Sequence, residues 1–80
     1  MTRRDKLIRK AVENPGGLTF IELVRLVGYF GYRQVRQAGN HRIFSRGPSH
    51  RRFNFQDNHG RAHVAQVKEF LAHASFKGWI

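Results

Sequence analysis

The sequence predicts an α+β domain of two layers, a three-stranded antiparallel meander with helices on one face, in the order α-α-β-β-β-α. Three observations carry this expectation. Apolar residues recur at helical spacing before Gly31, at a period of two from Tyr32 to Phe55, and at helical spacing again after Gly60. Turn-forming runs stand where the elements should end: Asn14-Pro15-Gly16-Gly17, Gly39-Asn40 and Gly47-Pro48. Finally, 80 residues with 40% apolar and 12% aromatic content suit one small folded domain over residues 1–80, too short for a linker and a second core and too apolar for disorder. Such a domain buries only about 60% of its unfolded surface, so its core should be thin.

Residues 3–13 read as a helix, with Leu7, Ile8, Ala11 and Val12 forming its apolar stripe. The first 14 residues are thus an N-terminal helical segment, and residues 19–76 the core of the domain. Thr19-Phe20-Ile21-Glu22 is a capping box, threonine as N-cap and glutamate three residues on. Phe20, Leu23, Val24 and Val27 then recur at i, i+3, i+4, i+7, a core-facing stripe. Gly31 supplies the left-handed residue that closes this second helix. Tyr32 to Ala38 alternates as a strand, Gly39-Asn40 turns the chain, and His41 to Arg46 forms the second strand. Gly47-Pro48-Ser49-His50 turns it again, since proline at the second turn position is pre-set for that geometry. In the third strand, residues 51–55, Arg51, Phe53 and Phe55 share one face and Arg52 and Asn54 the other. Residues 56–60 read as a loop that caps a last helix, whose stripe is Val64, Val67, Leu71 and Ala74 with Phe70 beside it.

Charge narrows the function classes. Fifteen basic residues stand against five acidic ones, a net +10, and eleven of the fifteen are arginine. No acidic side chain occurs between Glu22 and Asp57, whereas Arg25, Arg33, Arg36, Arg42, Arg46, Arg51 and Arg52 all do. An unmixed stretch of this kind attracts polyanions, phosphate backbones first among them, or an acidic protein. Arginine in particular offers a fork to phosphate and a plane to bases. The basic stretch lacks helical periodicity, which argues against a membrane-surface helix. No run approaches the roughly 20 apolar residues that span a bilayer, and Met1-Thr2-Arg3-Arg4-Asp5 does not read as a signal peptide, so the expectation is a soluble, cytoplasmic protein.

The chemistry available is limited. Without cysteine there is no disulfide, no thiolate-bound zinc and no thiol nucleophile. Gly16-Gly17 lacks the Lys-Ser/Thr of a phosphate-cradling loop. The histidines are the groups suited to acid–base work near neutral pH. His41 opens a strand directly after the Gly39-Asn40 turn, inside the arginine-rich meander, although on position alone it reads more readily as an ordinary surface histidine. His59 and His63 are four apart, but no third ligand accompanies them and His59 precedes the helix, so no metal site is expected. His50 reads as a turn residue and His73 as an exposed helix residue.

The run Gly31-Tyr32-Arg33-Gln34-Val35-Arg36-Gln37-Ala38-Gly39-Asn40-His41-Arg42-Ile43-Phe44 resembles the HicA family of toxin–antitoxin mRNA interferases, whose members carry a Gly-aromatic strand and then an Arg-Gln-x-Gly-Ser-His turn entering an x-Ile-aromatic strand. Residues 47–55 are similar to that family's Gly/Pro turn and third strand, and Asn58-His59-Gly60 to its His-Gly loop. Upstream, Asn14-Pro15 followed by Phe20, Glu22, Leu23 and Leu26 looks like its longer members, so the likeness runs from about Leu7 to Phe76. It implies a double-stranded-RNA-binding-domain-like fold that cleaves mRNA without a cofactor and is held inactive by an acidic HicB-type antitoxin. The family's catalytic histidine maps onto His41, presented by Gly39 and Asn40. Arg36, Arg42, Arg46, Arg51, Arg52 and His59 are the expected RNA contacts. The sequence departs from the family at Asn40, where serine is usual, at Arg42, where a second histidine or an aromatic residue is frequent, and at Gln56, where proline is common.

The residues agree from their own side. RNA carries its nucleophile in the 2′-hydroxyl, so one imidazole to take that proton and arginines to stabilise charge on phosphorus suffice, without a metal. An arginine-rich sheet flanked by helices also suits recognition of RNA by shape. Two other readings stand beside this one: a non-catalytic RNA-binding domain, and a winged helix-turn-helix module for DNA. Against the latter, a recognition helix presents basic and amide side chains, and residues 19–30 offer only Arg25. The C-terminal Phe76-Lys77-Gly78-Trp79-Ile80 reads either as an apolar patch for a partner or as a segment packed back on the domain's own core.

Overall fold

In the computed structural model, which describes all residues from Met1 to Ile80, the order is α1 (Arg3–Glu13), a 3₁₀ turn (Pro15–Gly17), α2 (Phe20–Tyr29), β1 (Arg33–Ala38), β2 (His41–Ser45), β3 (Phe53–Asn58), β4 (Arg61–Ala62) and α3 (Val64–Phe76). The α+β class stands. The sheet, however, has four strands in the order β1-β2-β3-β4, all antiparallel, not three. No helix is long and apolar enough to cross a membrane.

α1 and α2 start where a capping side chain supplies orphan backbone N–H groups with partners, whereas His63 at the start of α3 makes no such bond. Thr19 and Glu22 bond reciprocally, Glu22 N to Thr19 Oγ1 at 3.1 Å and Thr19 N to Glu22 Oε1 at 2.9 Å. Thr2 and Asp5 build the same box at the start of α1. At the end of α2, Gly31 takes φ +88° and two bonds close the helix: Gly31 N donates to Gly28 O at 3.0 Å, and Tyr32 N to Val27 O at 3.1 Å. This is the Schellman arrangement, which needs a residue free to be left-handed. A Cβ there would also stand 3.2 Å from the Arg46 side chain.

The core is built from Phe44, Phe53, Phe55 and Phe70 with Leu18, Leu23, Leu26, Val27 and Val67, and it contains no buried polar residue. Phe44 pairs with Phe53 across β2 and β3, and Arg42 with Phe55, so Arg42, Phe44, Phe53 and Phe55 share the face under the helices. His41, Ile43 and Asn54 are on the opposite, open face, where Arg36 stands against Ile43. Three expected stripes are trimmed at their edges. Val12 is 57% exposed and Val64 44% exposed, and Val24 is only half-buried while Leu26 takes the deeper position. α1 packs on α2, α3 and the 3₁₀ turn, with Leu7, Ile8 and Ala11 toward the core and Val12 outside it.

The expected loop 56–60 is the largest correction. β3 runs on to Asn58, and His59-Gly60 makes a two-residue hairpin into β4. Both turn residues have positive φ, +54° and +85°, as a type I′ turn requires. Two residues of β4 are too few to show a period, but the strand pairs with β3 on one side and on the other is held by residues 18–20, Ala62 N donating to Leu18 O at 3.2 Å and Phe20 N to Gly60 O at 2.9 Å. The third strand also begins at Phe53, leaving Arg51 and Arg52 outside it. β1 does not alternate in burial, since all six of its residues are exposed on an edge strand with a bulge between Gln34 and Arg36.

Candidate nucleic-acid interface

Two hairpin turns lie side by side at one end of the sheet. In the first, Gly39 takes φ +59° at the first turn position, the place where a II′ turn demands glycine, and Ala38 pairs with His41. In the second, Gly60 N donates to Asp57 Oδ1 at 2.7 Å. Asp57 N donates to Asn40 O at 3.1 Å and so ties the two turns together. Asn40, Arg42, Gln56, Asp57, Asn58, His59 and Gly60 line a wholly polar cleft of about 340 Å³ between them.

Arg42 enters this cleft from the helix-covered face. Its guanidinium carbon lies 5.2 Å from the centroid of the Phe20 ring, and Nη2 is 3.7 Å from Asp57 Oδ2. Its Nε is buried with no hydrogen-bond partner. The ring below and the carboxylate beside it hold the side chain at the cleft wall. Asn40 and His59 complete the mouth, and both are exposed.

His41 stands at the same end but on the open face, because its register with Gln56 and Ala38 points it away from the core. Its Nδ1 lies 3.2 Å from Asn54 Oδ1. A neutral imidazole that donates Nδ1–H to this amide oxygen keeps the Nε2 lone pair free to accept a proton. Arg36, on the neighbouring strand β1 and opposite Ile43, is the expected cation on this same face. Asn54 is the residue beside His41 that sequence reasoning does not single out. Its alternation with Phe53 and Phe55 puts it on the outer face, and only the strand register shows it diagonal to His41, two residue pairs along the ladder.

The other expected contacts lie elsewhere. Arg46 is past the far end of β2, with its guanidinium 4.2 Å from the centroid of Trp79. Arg51 lies over Phe53 at 4.6 Å and pairs with Glu69 at 3.1 Å. Its carbonyl also accepts the Tyr32 hydroxyl at 2.9 Å, and burial pushes that phenol's pKa up. Arg52 is exposed and has no ion pair. The structure therefore brings together Asn40, Arg42 and His59 in one cleft, sets His41 and Arg36 on the adjoining open face, and gives Arg46 and Arg51 aromatic partners of their own at the opposite end.

The remaining histidines are distributed otherwise than expected. His73 is half-buried, not exposed: it meets the Phe53 ring edge-on at 5.3 Å and Trp79 at 5.5 Å. Burial first, and then the neighbouring charges of Lys77, Arg51 and His50, hold its pKa below 6.5. His50 is half-buried as well, 6.0 Å from Trp79. His59 sits in the turn and His63 is the N-cap of α3, so the two do not share a helix face, and no three His, Asp or Glu side chains cluster closely enough to hold a metal ion. Trp79 packs back on the core, stacked on Phe30 at 5.9 Å, while Phe76 stays 85% exposed. Comparison of the chain with family models, curated proteins and solved structures returned no match.

Proposed function

We propose that this protein is an RNA endonuclease of the HicA type, the toxin of a toxin–antitoxin pair, acting on mRNA in the cytoplasm with His41 as general base. The observation that carries this reading is the His41–Asn54 contact on an open, basic sheet face, which leaves Nε2 as a proton acceptor. In the reaction, Nε2 takes the proton of a ribose 2′-hydroxyl, and the 2′-oxygen attacks the adjacent phosphorus. The bond from phosphorus to the 5′-oxygen breaks, the departing oxygen takes a proton from water, and a 2′,3′-cyclic phosphate remains. Arg36 on the open face, with Arg42 and His59 at the adjoining cleft, stabilises the phosphate charge, and no metal is required by this route. Arg52 adds an unpaired cation to the RNA-binding surface.

The run from α2 through the strands to α3, with the helices on one side, supports a double-stranded-RNA-binding-domain-like fold for this reading. The net charge of +10 and the exposed edge strand β1 favour an acidic HicB-type antitoxin that covers the sheet. The deciding experiment is incubation with single-stranded RNA and with duplex DNA in EDTA. Loss of the RNA is the expected result. RNA retained uncut would instead assign a non-catalytic RNA-binding domain, and DNA bound uncut a winged helix-turn-helix module.

A further inference from the structure

The helical layer carries a second basic feature, unconnected with the sheet end. Arg3, Lys6, Leu7 and Lys10 of α1 face Glu22, Arg25 and Tyr29 of α2 across a cleft of about 430 Å³. That volume lies within the roughly 300–1,000 Å³ of ligand clefts. No sheet residue lines it.

Its charge is unbalanced in a specific way. Glu22, the one carboxylate, is already committed: Lys10 Nζ lies 2.8 Å from its Oε2, and Thr19 N donates to its Oε1 at 2.9 Å. Lys10, and after it Thr19, hold the Glu22 carboxyl below 4.5, so it stays ionised and satisfied. Arg3, Lys6 and Arg25 are exposed and make no ion pair. By contrast Arg4 and Arg9, on the same helix as Arg3 and Lys6, are occupied, the first over Phe30 at 5.1 Å and the second with Glu13 at 3.0 Å. Beside the three free cations stands Tyr29, a residue 41% exposed whose ring belongs to no aromatic pair of the core. Leu7, half-buried, gives the cleft an apolar wall.

Free cations flanking an exposed aromatic ring are what a single nucleic-acid strand uses, the phosphates meeting the charges and a base lying on the ring. A lipid surface would be served by an exposed apolar stripe, but of the α1 stripe only Val12 is exposed, while Ile8 and Ala11 pack on the core and Leu7 is half-buried. We propose that the cleft between α1 and α2 is a second site for single-stranded RNA, in which Tyr29 stacks on a base and Arg3, Lys6 and Arg25 take the neighbouring phosphates. The inference rests on the RNA reading above and extends it: the strand cut at the sheet end is also held on the helical side.

The test uses the full chain carrying His41→Ala, so that the probe stays intact, and a fluorescein-labelled oligouridylate of about a dozen nucleotides read by anisotropy. Tyr29→Ala should weaken binding about five- to a hundredfold, and Tyr29→Phe, which keeps the ring, should restore it. Replacing Arg3, Lys6 and Arg25 together by alanine should lower the slope of log affinity against log salt by about two, at roughly 0.7 per phosphate contact. Unchanged affinity and slope in these variants, while the His41→Ala parent still binds, would overturn the cleft and leave the RNA reading standing. A parent that binds no oligouridylate would remove the RNA reading and the cleft with it. Binding of phosphatidylserine vesicles that is lost in the triple variant, with oligouridylate affinity unchanged, would reassign the cleft to lipid and overturn the proposal.

Discussion

The two ends of the sheet use the same residue type for different work. At the turn end, Arg36 is exposed on the open face with His41, and Arg42 lines a polar cleft with the Phe20 ring below it and Asp57 beside it. At the far end, the guanidinium groups of Arg46 and Arg51 lie over Trp79 and Phe53, in a cluster that also holds Tyr32, His50 and His73. A guanidinium over a ring keeps its charge but commits its plane to packing. Counting arginines therefore overstates the surface available to a polyanion, and the difference between the ends is open to measurement.

The largest expected effect is at the turn end. His41→Ala should lower RNA cleavage by about 10²–10⁴-fold, the usual contribution of general acid–base catalysis, with the thermal midpoint and RNA affinity nearly unchanged. His41 is exposed, so its truncation leaves no cavity. His59→Ala serves as the control and should cost less. Asn54→Ala should fall between them, through a misoriented imidazole, and Asn54→Asp, which keeps an acceptor for Nδ1–H, should recover part of the loss. Equal cleavage by wild type and His41→Ala in matched assays would move the assignment to a non-catalytic RNA-binding domain.

At the far end the same kind of truncation should act on stability. Trp79→Ala removes a ring packed on Phe30, His73 and Arg46 and should cost about 2 kcal/mol in chemical denaturation, less than for a fully buried tryptophan because Trp79 is half-buried. RNA cleavage by the folded variant should be unaffected. A Trp79→Ala protein of unchanged stability would mean that the C-terminal segment is not part of the core in solution.

A smaller effect separates the arginines. Arg36→Ala should reduce the salt slope of RNA binding by about 0.7, whereas Arg46→Ala and Arg51→Ala should leave it nearly unchanged and lower stability by about 0.5–1 kcal/mol. Equal slopes for all three would show that the far-end guanidinium groups leave their rings to meet RNA, and the contrast drawn between the ends would fall.

The smallest effect is a pH dependence confined to the far end. His73 is held below its ordinary 6.5 in the folded protein, by burial and by Lys77, Arg51 and His50. As pH falls, the unfolded chain binds that proton first, so stability present above 6.5 declines as the pH drops through it toward the folded value. Denaturation midpoints measured across the weakly acidic range should show this decline, and His73→Leu should flatten it. An unaltered slope in His73→Leu would place the proton uptake on another group.

How much of this is legible from the chain alone varies with how local the cause is. Both ends of α2 are written in neighbouring residues, Thr19 with Glu22 and Gly31 after Phe30, because capping and left-handed closure involve groups a few positions apart. The first hairpin is legible for the same reason, through Gly39-Asn40. The second is not, since β4 has two residues and is held by Leu18 and Phe20, far away in sequence. His73 reads as exposed from the sequence because helical spacing alone cannot say that Trp79, beyond the helix end, folds back to cover it.

By itself the sequence determined the α+β class, the core-facing places of Phe20, Phe53, Phe55 and Phe70 and the unmixed positive charge, which follow from periodicity, turn chemistry and composition, whereas the candidate histidine came from the resemblance to HicA. Only the tertiary structure decided which cations remain free and which residue holds His41. Those outcomes depend on cross-strand register, where a shift of one residue exchanges the two faces of the sheet, and on which rings come within reach of which guanidinium groups. Arg42 and His41 are adjacent in sequence and lie on opposite faces, whereas His41 and Asn54 are 13 residues apart and touch.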